Sequence, residues 1–193
     1  MNTTAIVIEI LIGGLQTTIW LALIILSIFG YGWIQLNTVE KLLGLTIFII
    51  TISYTFGVLF DRLWDFLLQK PDEVIRNRYF SKSELYSMRV RIFSKSEPMA
   101  KFLDYIRSRM RIARASFCNF CLITATSLLF ILTQLNHFDA LLNLKLLLFT
   151  STCGMLLALL AFYAWKKITN TYYKQMLTIY KGLFEETETI SKS

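Results

Sequence analysis

The amino-acid sequence predicts an all-α, polytopic membrane protein: a four-transmembrane-helix bundle with helices 2, 3 and 4 extended into the cytoplasm and a short amphipathic helix between spans 2 and 3. Three observations predict it. Hydrophobic side chains make up 55% of the 193 residues and charged ones only 17%, where an ordinary soluble domain carries about a quarter charged residues. Four apolar runs are each long enough to cross a hydrocarbon core of about 30 Å as a helix. The basic residues are clustered, with thirteen Lys or Arg against seven acids between Asp61 and Arg114, which is +6 of the net +7. Such an excess beside apolar spans marks the cytoplasmic side. The chain then divides into a first transmembrane hairpin (1–60), a basic cytoplasmic helical segment (61–111), a second hairpin (112–165) and a cytoplasmic helical tail (166–193). Both termini are expected on the basic side. No Lys or Arg precedes Lys41, so the first apolar run lacks the charged start of a cleavable signal.

The first span covers Ile10 to Trp33. At 100° per residue Glu9, Gln16, Trp20 and Ser27 fall on one side of it, and polar groups at that depth are expected to face protein rather than lipid. A short connection, with Tyr31 and Trp33 suited to the headgroup boundary, forces an antiparallel second span from Leu42 to about Phe60. Its Ser53 and Gly57 make a small-xxx-small step that permits close helix contact. With no breaker before Pro71, the second helix is expected to run on through Asp61, Trp64 and Asp65, with Trp64 at the interface.

Beyond it, Ser81 and Glu84 have the spacing of a capping box. Leu85, Met88 and Ile92 share one face of a helix from about Lys82 to Phe93, predicted to lie on the bundle base or the membrane. Ser96, Glu97 and Pro98 form a helix start, and no Gly or Pro follows until after Leu135. One long helix is therefore predicted, its end forming the third span at about Ile112 to Leu132 with Ser116, Asn119, Thr126 and Gln134 on a polar face. The fourth span, Leu146 to Trp165, carries a seam of Ser151, Gly154, Ala158 and Ala161. Tyr172, Met176, Ile179 and Leu183 then recur at helical spacing, extending that helix past the membrane.

The site candidates follow from this layout. Asp61 and Asp65 lie one turn apart at the level expected for Arg111 and Arg114. They read either as an interfacial salt-bridge cluster pinning two helices or as a latch whose release opens the bundle. Two carboxylates beside several arginines make a poor metal site. Arg107, Arg109, Lys166 and Lys167 are placed to touch anionic lipid headgroups. Glu9, Gln16, Ser53, Asn119 and Gln134 mark the intramembrane polar faces, which serve either interhelical hydrogen bonding or an aqueous path; four helices are too few to enclose a wide pore, so a path implies several copies. Cys118-x-x-Cys121 lies inside a span without a second ligand pair and reads as packing. His137 reads as a loop residue, and no phosphate loop, serine elbow or paired-histidine motif occurs. No catalytic residue, metal or cofactor is expected, and the chain does not read as an enzyme. Aromatics among the basic residues, such as Tyr79, Phe80 and Tyr86, can stack on nucleic-acid bases, yet beside spans they serve as packing and interface anchors, and no nucleic-acid partner is expected.

In layout alone, four spans around a basic cytoplasmic middle resemble the membrane subunits of some prokaryotic antiviral defence systems. That resemblance implies a homo-oligomeric inner-membrane protein acting as a channel-like or membrane-perturbing effector under control of its cytoplasmic segment. The alternative is a membrane anchor or scaffold that recruits a soluble partner through the basic segment.

Overall fold

A computed structural model describes residues 3–30, 32, 39–135 and 139–190. Tyr31, Trp33 and His137 lie outside the described residues. Every element among those described is helical: α1 (Thr3–Phe29), α2 (Val39–Leu67), α3 (Gln69–Arg76), α4 (Lys82–Lys95), α5 (Glu97–Gln134) and α6 (Ala140–Ile190). Four of them, α1, α2, α5 and α6, are long and apolar enough to cross a membrane. At 1.5 Å per residue the 38 residues of α5 and the 51 of α6 extend about 57 and 76 Å, far more than a hydrocarbon core of about 30 Å. Both helices therefore leave any bilayer as continuous rods, and no helix end falls at 111 or 165.

Local chemistry explains most of the boundaries. α1 stops at Phe29, short of the expected Trp33, because Gly30 takes φ +73° and its N–H donates to Leu26 O at 3.0 Å. A residue without Cβ enters that region without strain, and it terminates helices for this reason. α2 ends at Leu67 instead of reaching Pro71. The proline is the third residue of α3, in a first turn that does not use its missing N–H. The capping box at α4 is present, with Ser81 N–H donating to Glu84 Oε2 at 2.8 Å and Glu84 N–H to Ser81 Oγ at 3.4 Å. α5 starts as expected after Ser96 with Pro98 in its first turn, although the Ser96 side chain makes no capping bond.

The long helices pack as an open row in the order α2, α1, α5, α6. α1 lies between α2 and α5, α5 lies between α1 and α6, and α6 touches neither α1 nor α2. α1 and α5 run parallel, since Glu9 meets Ser108 and Ser27 meets Gln134. Glycines set the close approaches. A Cβ on Gly14 would stand 1.6 Å from Ser53 O, one on Gly57 2.1 Å from Ile10 O, and one on Gly154 2.0 Å from Thr124 Oγ1. The small residues read from the sequence as contact faces thus meet neighbours within the same chain.

The polar end of the molecule has its own core. Ile75 of α3, Phe80, Ile92 of α4, Leu103, Ile106 and Met110 of α5 and Trp165, Tyr172, Tyr173 and Met176 of α6 are all buried together. α4 lies against α5 and α6, with Arg89 paired to Asp104 and Arg91 Nη1 donating to Tyr180 at 2.9 Å. Tyr180 is fifteen residues past Trp165, about 22 Å along the helix. α4 thus packs on the polar parts of α5 and α6. Trp64 is only 5% exposed, packed against protein with its ring tilted 5.6 Å from that of Phe60.

Candidate functional site

Where α1, α2 and α5 converge at the polar end, their charged residues form one cluster. α2 contributes Asp61 and Asp65, four residues apart, and α5 contributes Arg111 and Arg114, three apart, so each pair lies on one stripe of its helix and the two stripes face one another. Arg111 Nη2 donates to Asp61 Oδ2, Arg114 Nη2 to Asp61 Oδ1 at 3.3 Å, and Arg114 Nη1 pairs with Asp65 Oδ1. The structure therefore brings together all four residues singled out as a latch. It adds one the sequence had placed only on the polar face of α1. Glu9, 6% exposed, forms an ion pair with Arg111, its Oε1 lying 2.9 Å from Nε, and its Oε2 accepts a hydrogen bond from the Ser108 hydroxyl at 2.6 Å. Each guanidinium thus spans two carboxylates, and Arg111 joins three helices at one point. Such charges lose their hydration on burial, so their stability depends on keeping every partner. Immediately beside them a cavity of about 20 Å³, lined by Glu9, Gly13, Gly57, Asp61, Trp64 and Arg111, has the volume and polar partners for a single water.

From this cluster a polar seam runs between α1 and α5. Gln16 Nε2 donates to Ser116 Oγ at 3.1 Å. Asn119, fully buried, accepts from Thr17 Oγ1 at 3.2 Å and from Trp20 Nε1 at 3.1 Å, and its Nδ2 donates to Gly13 O at 3.2 Å. Four turns further on, Gln134 Nε2 donates to Ser27 O at 2.9 Å. Between these levels Thr126 is buried with its hydroxyl turned back onto Leu122 O. Ser53 belongs to another contact, α1 with α2, where its hydroxyl meets Thr18 Oγ1 at 2.9 Å. The faces marked by Glu9, Gln16, Asn119 and Gln134 are therefore joined in one seam, and Ser53 is not part of it.

The residues assigned to lipid contact are exposed. Arg109 lies with its guanidinium 4.9 Å above the Tyr105 ring, Lys167 with Nζ 5.9 Å from the Tyr163 ring, and Arg107 and Lys166 are open to the surroundings. The cysteines are free thiols, Cys118 and Cys153 half-buried and Cys121 exposed. Among the described residues no group of three or more His, Cys, Asp or Glu side chains converges as a metal site.

Sequence reasoning missed a second polar site, in the base. Asp72 at the start of α3 accepts a hydrogen bond from Tyr173 of α6 at 3.0 Å, with Arg76 on the next turn. Burial pushes the Asp72 carboxyl above the usual range, against the lowering effect of the Tyr173 hydroxyl and of Arg114 and Arg76. Pro71 followed by Asp72 and Glu73 is compatible with a helix start, the one local signal that points to α3. Comparison with protein-family models, with curated proteins and with solved structures finds no match to this chain.

Proposed function

We propose that this chain is an integral protein of the bacterial inner membrane, with its basic base and both termini in the cytoplasm, that acts as a homo-oligomeric, channel-like or membrane-perturbing effector controlled by that base. The observation that carries the reading is the convergence of Glu9, Asp61 and Asp65 with Arg111 and Arg114, which ties three of the four spans together where they meet the base. An event in the base that displaces Arg111 breaks the ionic tie of α1 to α2 and α5 in one step, and parting of α1 from α5 then exposes a seam of polar groups to lipid. Polar groups in hydrocarbon recruit water or new partners. Because the row α2, α1, α5, α6 encloses no lumen, a conducting path requires several copies. The exposed apolar outer faces of α2 and α6, with Ile47, Phe48, Leu156 and Leu160, are the surfaces left for lipid or for another copy. Anionic lipid and a soluble trigger protein are the partners this reading implies, and it assigns no catalysis.

Flux from liposomes tests it. The intact protein should be nearly silent, Asp61→Asn should leak, and Lys95→Ala should not. Silence of Asp61→Asn at the same reconstituted density would remove the effector reading. Cysteines introduced at Ser94 and Asp139 in a background lacking the native thiols should label from opposite sides of the membrane.

A second reading, an anchor that recruits a soluble partner, is favoured by the exposed Tyr86, Val90, Phe93, Phe102 and Tyr105 on the base. Co-purification of one soluble protein, lost with Tyr86→Ala and Val90→Asp while flux stays absent, would establish it instead.

A further inference from the structure

α6 is the outer member of the helix row, and among the described residues only α3 and α4, at the base, pack on it besides α5, so along its apolar run the side turned away from α5 has no helical cover. Just past its apolar run an open cleft of about 370 Å³ is lined by Tyr163, Lys166, Lys167, Asn170 and Lys174 of α6 and by Tyr79 from the turn after α3. Its depth is set by the helix. If the hydrocarbon ends at Trp165, Lys166 to Asn170 lie about 1.5 to 7.5 Å beyond it at 1.5 Å per residue. A headgroup layer is about 5 to 8 Å thick on each side. Lys174 lies further out, on a stem long enough to reach back. Among the described residues none of the three lysines is paired with a carboxylate, whereas Lys101 is held by Glu97. On the same helical stripe, Leu156, Leu159 and Leu160 continue upward from Tyr163, each more than half exposed.

We infer that this cleft binds one anionic phospholipid, its phosphate held by Lys166, Lys167 and Lys174 and its acyl chains lying along the Leu156 to Tyr163 stripe. Three lysines lining one concavity answer a phosphate better than a zwitterionic headgroup, whose own cation they would repel. The apolar stripe continuous with the cleft is what selects a lipid over a free phosphate compound. The site also joins two parts of the fold: the Tyr79 ring stacks at 6.3 Å on Tyr173, whose hydroxyl bonds Asp72. A bound headgroup therefore clasps α6 to the α3 end of the base.

The inference rests on the membrane placement proposed above and not on gating, so a protein that leaks nothing yet retains the lipid fails the first reading and keeps this one. Native mass spectrometry of the full chain in mild detergent supplies the test, with phosphatidylglycerol, phosphatidylcholine or inorganic phosphate as the probe. The expected result is one retained phosphatidylglycerol, at least tenfold preferred over phosphatidylcholine, and no displacement by millimolar phosphate. The triple change Lys166→Gln, Lys167→Gln, Lys174→Gln should weaken retention at least tenfold. Lys101→Gln, Lys145→Gln, Lys181→Gln, which removes the same charge elsewhere, should change it less than twofold. The single Lys167→Gln, at an exposed position, should show an intermediate loss with unchanged thermal unfolding. Equal loss in both triple variants means diffuse attraction and overturns the site, equal binding of phosphatidylcholine does the same, and displacement by phosphate means a soluble ligand and overturns the lipid.

Discussion

Arg111 on α5 places its Nε 2.9 Å from Glu9 Oε1 on α1, a carboxylate whose side chain is only 5% exposed. The arginine also holds Asp61, so the two members of the pair are not equivalent. Arg111→Ala strands one buried carboxylate and deprives another of a partner, and breaking such a pair costs about 3–5 kcal/mol. Glu9→Gln leaves Arg111 bound to Asp61 and keeps a group able to bond Ser108, so its loss should be about half as large or less. Thermal unfolding in detergent of both variants and their combination gives the coupling. Equal losses would show that Glu9 is the only partner that matters to Arg111.

Asn119 should be the most sensitive point of the seam. Asn119→Leu leaves Trp20 Nε1 without an acceptor and Thr17 with only Gly13 O. A buried polar group left unpaired costs about 1–3 kcal/mol, and less where the helix can find another partner in lipid. Thr133→Val, on an exposed face of the same helix, should change stability by less than about 0.5 kcal/mol.

Glycine positions separate packing from propensity. Gly14→Ala would drive a methyl into the Ser53 carbonyl and should destabilise by about 1–3 kcal/mol through overpacking. Gly44 has nothing within 4 Å of an added Cβ, so Gly44→Ala should stabilise α2 by about 0.5–1 kcal/mol through helix propensity. Matched melting curves of the two variants decide it.

Asp72 predicts a pH dependence of defined sign. Its folded-state carboxyl lies above the ordinary range because it is buried, so just above that range the folded chain binds more protons than the unfolded one. Stability attributable to Asp72 is then present at low pH and lost as pH rises through its folded value. Asp72→Asn keeps an acceptor for Tyr173 and removes the titration. Melting temperature should fall more steeply with rising pH in the parent than in the variant from about pH 4 upward, and parallel curves would exclude the effect. Glu84, lowered by its bonds to Ser81, acts in the opposite direction in both proteins and cancels in the comparison.

Much of this was legible in residue spacing. Asp61 and Arg111 each stand at the basic end of an apolar run, so depth alone placed them opposite one another, and the Ser81 to Glu84 spacing located α4. Glu9 was visible at the same depth on α1, but periodicity assigns a residue to a face and does not say which helix that face meets. The order α2, α1, α5, α6 is a property of packing between distant segments, and no local pattern carries it. α3 was hidden because Pro71 reads equally as the end of one helix and the first turn of another. Asp72 and Tyr173, 101 residues apart, left no local signal for their bond.

The parallel pairing of α1 with α5 also bears on how the protein is made. Each bond of the seam joins residues 99 to 107 positions apart. At about 5–20 residues per second, α1 emerges from the ribosome roughly 5–20 seconds before the helix that satisfies Glu9, Gln16 and Thr17. During that interval its polar face has only α2 beside it, and α2 offers Ser53 to Thr18 but nothing to Asn119's later partners. A nascent chain halted before α5 should therefore remain held at the insertion machinery, and release should follow synthesis of the stretch that carries Arg111 and Asn119.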